Sequence, residues 1–201
     1  MEVKMGFDLY GLNPKLTRKK PTIDWTKKPT AKEKNDYFAD IDKFDKENVG
    51  HYFRNNVWWW RPLAQYVLVL MGNEFTEDEV KSWHHNDGFE VSEERAKKIS
   101  NRLEQELNTG RVAERVRYHE IEVKEAQEKN KVVEAKRSEL EKIVEQKTGK
   151  KLPPVKYPEP FKQQWEDIQS QYLWEASYPF SEDNVISFMN FCKESGGFKI
   201  C

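Results

Sequence analysis

Residues 51–63 read HYFRNNVWWWRPL, and this stretch decides how the fold is assembled. Aromatic and β-branched residues, which favour strands, are followed by Pro62, which is typical of the first turn of a helix. The pattern predicts a strand-to-helix or loop-to-helix junction, with a helix that runs to Met71 and stops at Gly72. The tryptophans therefore lie where one element gives way to the next.

The three tryptophans are candidates for packing and for binding. If they belong to a strand, alternation places Trp58 and Trp60 on one face and Trp59 on the other. One face would enter the core, and the other would need a partner such as an arginine or a planar ligand. Core packing is the favoured interpretation, because large rings are an efficient source of buried area. A binding surface here would consist of Tyr52, Arg54, Asn55, Trp58, Trp59, Trp60 and Arg61.

The whole chain of 201 residues is polar, with 34% charged and 37% hydrophobic residues. Because 13% of the residues are aromatic, we expect an aromatic core. The alternation in GFDLYG at 6–11 and the terminal FKIC at 198–201 favour short strands. We expect the terminal strand to pair with the first strand or with the tryptophan stretch, in a small sheet. Length and pattern together predict a single α+β domain over residues 1–201, mostly helical, with a small sheet of short strands.

Residues 111–148 contain no Gly or Pro and predict a long, charged, protruding helix. Apolar residues recur at intervals of three and four, as in a heptad seam. The seam is imperfect, since His119, Asn130 and Arg137 occupy intervening positions. This helix could form half of a helical hairpin with residues 92–108, and it could self-associate. The Pro-rich segment 149–160 then brings the chain back.

Residues 12–36 form a Lys-rich segment that contains Pro21 and Pro29. Such a composition buries little apolar surface, so it predicts a flexible loop. The segment is also interrupted by acids, and the net charge of the chain is −1. A nucleic-acid-binding domain usually has a strongly basic face, so nucleic acid is not a favoured partner.

The segment SWHHNDGFEVSEE at 82–94 contains the weak metal candidates His84, His85 and Asp87. A calcium loop aligned on Gly88 would place Trp83 where an acidic ligand is required. Adjacent histidines on a helix point about 100° apart, so a compact zinc site would need a third residue from elsewhere. The favoured interpretation is an Asp-Gly turn between two helices. No phosphate-binding loop or nucleophile motif occurs, and no cofactor is predicted.

The beginning of the chain has no apolar segment typical of a signal peptide, and its longest apolar run is too short to span a membrane. Its two cysteines, Cys192 and Cys201, are expected to be reduced. These features predict a cytoplasmic protein that does not enter a membrane.

Four blocks of the chain resemble an uncharacterised family of proteins encoded by phages and bacteria. They are MGFDLYGLNP at 5–14, GHYFRNNVWWWRPL at 50–63, WHHNDGFEVSEERAKKISNRLEQEL at 83–107 and FMNFCKESGGFKIC at 188–201. The resemblance implies an association with phages and a shared scaffold, and it transfers no catalytic residue. The Lys-rich segment and the long helix lie between the blocks, so contacts specific to one partner could reside there.

These observations favour a non-enzymatic binding protein that acts inside a bacterial cell on an unidentified protein partner. An example would be a phage-encoded inhibitor of a host defence protein, with the long helix or the Trp-Arg edge as its contact surface. Two alternatives remain open. One is a small-ligand or nucleotide-binding protein that uses the Trp-Arg cluster, and the other is a metal-dependent hydrolase that uses His84, His85 and Asp87.

Overall fold

The computed structural model describes residues 6–201, and the fold is α+β and mostly helical, as predicted. Met5, the first residue of one resemblance block, lies outside the described residues, as does the side chain of Glu175. The strands are β1 (Gly6–Gly11), β2 (Tyr52–Asn56), β3 (Glu90–Val91) and β4 (Phe198–Ile200). The helices are α1 (Ala31–Glu47), α2 (Val57–Met71), α3 (Glu77–Ser82), α4 (Glu93–Asn108), α5 (Arg111–Thr148), α6 (Phe161–Gln169) and α7 (Glu182–Glu194).

The chain divides into two compact units. One contains the described residues up to Glu114 together with Phe180–Cys201, and the other contains Arg115–Pro179. None of the helices in residues 6–201 combines the length and apolar character that crossing a bilayer requires.

The first unit is built on an antiparallel sheet with the strand order β2-β1-β4-β3. The terminal strand pairs with β1, one of its two expected partners, and Leu9 lies opposite both Phe53 and Ile200. These three side chains are buried, and α2 and α7 pack against the sheet. Helix α4 packs in turn on α7. Alternation thus gives the sheet one face toward the helices and one outer face.

The prediction that Pro62 lies in the first turn of its helix is wrong, because α2 begins five residues earlier, at Val57. The side-chain oxygen of Asn56 accepts hydrogen bonds from the backbone N–H groups of Trp58 and Trp59, both at 3.0 Å. This N-cap stabilises the helix directly after the strand. The junction is therefore a strand-to-helix junction, and all three tryptophans are helical.

The predicted loop at 12–36 also ends earlier than expected, because α1 starts at Ala31. Thr30 and Glu33 form a capping box: Glu33 N donates to Thr30 Oγ1 at 3.3 Å, and Thr30 N donates to Glu33 Oε2 at 2.7 Å. This pair satisfies two backbone donors at the helix start. Before it, residues 12–30 lack long elements and contain one short 3-10 turn at Trp25–Lys27.

In the second unit, residues 149–179, which we call the return segment, cover one side of α5. Leu140 and Val144 of α5 are buried with Tyr157, and Leu152, Phe161, Trp165 and Ile168 pack around them. The helix itself ends at Thr148, at the predicted position, and residues 149–160 contain a 3-10 turn at Pro154–Lys156. Within this unit, the partner of the long helix is the segment that follows it.

The polar positions in the seam of α5 hold the return segment in place. Asn130 Nδ2 donates to the carbonyl oxygen of Leu173 and Asn130 Oδ1 accepts from Leu173 N, each at 2.8 Å. His119 Nε2 lies 2.5 Å from the carbonyl oxygen of Tyr178. The guanidinium of Arg137 lies 4.6 Å from the ring centroid of Tyr172. The interruptions in the heptad pattern are thus the residues that fix where the chain returns.

Candidate functional site

The last ring of the tryptophan cluster, Trp60, is part of the core. Trp60 is fully buried, and its ring stacks on Trp83 at 5.7 Å and on Phe7 at 5.4 Å between centroids. Its indole Nε1 donates to the carbonyl oxygen of Trp83 at 2.7 Å. Because the polar atom is satisfied and the ring is enclosed, Trp60 contributes to stability and is not available to a ligand.

The other two tryptophans do not share the environment of Trp60. Trp58 is 39% exposed, and Trp59 is half-buried. An α-helix turns by about 100° per residue, so residues two apart point in nearly opposite directions. The prediction that Trp58 and Trp60 share a face is therefore wrong, because it assumed a strand.

Two other predicted residues, Tyr52 and Arg54, lie on the outer face of the sheet. Tyr52 donates a hydrogen bond to Asp8 Oδ1, and Arg54 Nε lies 3.4 Å from the same oxygen. The ring of Tyr10, which is 42% exposed, lies 5.3 Å from that of Tyr52. Burial and the adjacent Asp8 carboxylate raise the pKa of Tyr52 above its usual value. This face presents the exposed Tyr10, the half-buried Tyr52 and a partly compensated arginine.

Asn55 lies on the opposite side of β2, where its Nδ2 donates to Asn184 Oδ1 at 3.1 Å. Arg61 lies on α2 and is exposed. The seven residues of the predicted Trp-Arg surface are therefore distributed over the outer sheet face, the inner sheet face and helix α2. Tyr10 was not among the predicted site residues, although the alternation of GFDLYG already places it on the face of Asp8.

The weak metal candidates follow helix α3. His85 is exposed, with Nδ1 2.7 Å from the carbonyl oxygen of Lys81, and Asp87 Oδ1 accepts from Phe89 N at 3.2 Å in the turn before β3. His84 is half-buried, and burial, followed by the nearby charge of Arg61, lowers its pKa. Within residues 6–201, no group of three or more His, Cys, Asp or Glu residues could hold a metal ion.

Exposed aromatic rings meet in the N-terminal part of the first unit. The ring of Trp25 lies 6.0 Å from that of Tyr37 and 6.3 Å from that of Phe38. Trp25 is 51% exposed and Phe38 is 52% exposed. We call Trp25, Tyr37 and Phe38 the arm cluster. Helix α1 carries the rings of Tyr37 and Phe38. Of its 17 residues, Phe44 is the one that is fully buried.

Phe44 anchors α1 and thereby positions the arm cluster. The guanidinium of Arg18 lies 5.4 Å from the ring centroid of Phe44, and the ring of His51 lies 5.0 Å from it on edge. Arg18 also forms ion pairs with Asp40 at 2.8 Å and Glu47 at 3.2 Å. These contacts join the 12–30 segment to α1, so the exposed rings are presented on an ordered support.

Other exposed apolar residues lie near the arm cluster in sequence, namely Leu12, Leu16 and Val49, at 40–45% exposure. Scattered exposed apolar residues are normal, whereas rings that contact one another while half-exposed form a patch that favours binding. The arm cluster is therefore the candidate functional site. Comparisons with protein-family models, with curated proteins and with solved structures found no match to this chain.

Proposed function

We propose that this chain is a non-enzymatic binding protein that docks onto a protein partner through the arm cluster. The observation that carries the proposal is the half exposure of Trp25 and Phe38, whose rings contact each other and Tyr37. Aromatic residues contribute disproportionately to binding energy when a partner removes them from water.

The ordered support of the arm cluster on α1 lowers the entropic cost of binding. Fixing a flexible side chain or loop at an interface costs about 0.5–1.5 kcal/mol per side chain. The Arg18 and His51 contacts on Phe44, together with the hydrogen bond of 2.7 Å from Thr17 N to Asn48 Oδ1, order the segment before binding. Less ordering then remains to be done when the partner arrives.

The resemblance to proteins encoded by phages and bacteria supports a partner in a bacterial host. We infer that the chain acts in the host cytoplasm and that docking inhibits the host protein it binds. The position of the arm cluster supports a contact that is specific to one partner, because the cluster falls between the blocks that carry the resemblance. A contact surface that differs between relatives is expected where a shared scaffold serves different partners.

Affinity purification from phage-infected bacteria tests the proposal. Tagged wild-type chain should recover a stoichiometric protein, and the Trp25→Ala/Phe38→Ala variant should lose it, because truncating two central rings weakens binding by about 100-fold or more. Trp174→Ala is the matched control, since Trp174 is also 51% exposed but lies in the other unit. Retention of the partner by the double variant, or equal loss with the control, would contradict the proposal.

A second candidate function rests on the outer sheet face. The exposed ring of Tyr10 contacts the half-buried ring of Tyr52 next to Arg54, an arrangement on which a planar ligand or base could stack. A nucleotide panel examined by calorimetry would test this, with Tyr10→Ala expected to abolish any heat of binding. Absence of binding across the panel would remove this candidate.

A further inference from the structure

A concave pocket lies next to the arm cluster, between the 21–29 segment and the first half of α1. Its volume is about 620 Å³, which is within the range of about 300–1,000 Å³ typical of ligand pockets. Tyr37 of the arm cluster forms part of its wall, together with the apolar residues Pro21, Ile23 and Pro29. We call this pocket the arm groove.

The arm groove is strongly acidic. Asp24, Glu33, Asp36 and Asp40 line it, against the single cation Lys27. Hydrogen bonds from Thr26 lower the pKa of Asp24, and hydrogen bonds from Thr30 lower the pKa of Glu33. Both carboxylates therefore remain charged near neutral pH.

The charges of the arm groove are only partly compensated. Asp24 Oδ2 lies 3.5 Å from Lys27 Nζ, and Asp40 Oδ1 lies 2.8 Å from Arg18 Nη2. For Asp36, by contrast, no hydrogen bond or ion pair is found within the described part of the chain. A cation that enters the groove would meet four carboxylates, of which Asp36 is ready to pair.

The apolar and acidic walls together suit a long side chain that ends in a cation. Lysine and arginine have an aliphatic stem that packs on apolar surface and a cationic head that pairs with carboxylates. A cation over a tyrosine face gains about 0.5–2 kcal/mol in addition. Proline and isoleucine walls suit the stem, Tyr37 suits the stem or the head, and Asp36 suits the head.

We propose that the arm groove binds a lysine or arginine side chain from a basic segment of the protein partner. This inference rests on the proposed function, since it names the chemistry of the segment that docks beside the arm cluster. The partner segment lays its apolar neighbours on Trp25 and Phe38 while its cation enters the groove. Charge complementarity then fixes the register of docking.

Peptide calorimetry with the full chain tests the groove. Capped hexa-arginine is the probe, and capped hexa-glutamate is the control peptide. We expect binding of hexa-arginine that weakens as salt rises, and no binding of hexa-glutamate. Failure of hexa-arginine to bind at low salt would overturn the inference.

Two matched charge reversals distinguish binding in the groove from unspecific attraction to the charges of α1. Asp36→Lys places a cation in the groove, whereas Asp42→Lys makes the same charge change at an exposed position on α1 outside it. We expect Asp36→Lys to weaken hexa-arginine binding about tenfold, since a lost ion pair and a new repulsion each contribute up to about 1 kcal/mol. Asp42→Lys should weaken it less than about threefold. Equal weakening by the two variants would show unspecific attraction and overturn the inference.

The two proposals fail in distinguishable ways. If hexa-arginine does not bind but the Trp25→Ala/Phe38→Ala variant still loses the cellular partner, the groove inference falls and the proposed function stands. If Asp36→Lys specifically abolishes peptide binding but the double variant keeps the partner, the proposed function falls, and with it the assignment of the groove to that partner.

Discussion

Replacing Asn130 with alanine should loosen the return segment of the second unit. Asn130 is 6% exposed, and its amide exchanges two hydrogen bonds of 2.8 Å with the backbone of Leu173. Each bond contributes about 1 kcal/mol net, so their loss costs about 2 kcal/mol. Alanine favours helix more than asparagine by about 0.5 kcal/mol. We therefore expect the free energy of unfolding to fall by about 1.5 kcal/mol.

Hydrogen exchange measured residue by residue gives a local test. The amide of Leu173 donates to Asn130 Oδ1, so its protection should fall about tenfold in Asn130→Ala, following the conversion of about 1.4 kcal/mol per factor of ten. Gln127→Ala on the exposed side of the same helix is the control. If both variants leave Leu173 equally protected and the urea midpoint unchanged, the polar seam does not hold the return segment.

Three further predictions concern the first unit. Glu106→Gln should lower the free energy of unfolding, measured by urea titration, by about 1–3 kcal/mol. The reason is that this buried carboxylate pairs with Arg102 at 3.1 Å and with Arg111 at 3.3 Å. The same change at the exposed Glu104 is the control. Gly50→Ala should lower Tm, because its Cβ would collide with the backbone of Glu194; an unchanged Tm would refute this. Burial and Glu106 raise the pKa of Tyr66 from its usual 10.0 to about 12. The folded state therefore favours the neutral phenol. The stability that this contributes is present below pH 10 and is lost as pH rises through about 12. Ultraviolet titration should lose that step in Tyr66→Phe.

The arm cluster shows why a contact site can be hard to find in a sequence. Trp25 belongs to a loop, whereas Tyr37 and Phe38 belong to α1, and their rings meet because Arg18 and Phe44 fold the loop back onto the helix. The composition of 12–36 suggested a flexible loop with room for partner contacts. The capping box at Thr30 and Glu33 was the available signal that a helix begins there.

Local rules predicted the elements whose ends depend on neighbouring residues. Thr76 caps α3 and Ser92 caps α4, because their side-chain oxygens satisfy backbone donors within three residues. The long helix from Arg111 follows from an unbroken run of helix-forming residues. The alternation indicated that the terminal strand needs a partner, but that the partner is β1 is decided by the tertiary structure.

The tryptophan stretch marks the limit of such rules. The sequence alone determined that rings at 58–60 lie at a junction and that much of the core would be aromatic. Only the tertiary structure decided that Trp60 is enclosed by Trp83 and Phe7 while Trp58 remains 39% exposed. The physical reason is the side chain of Asn56, which caps a helix at that point and replaces the period of a strand with that of a helix. Which ring is then buried depends on side chains distant in sequence that cover one side of that helix.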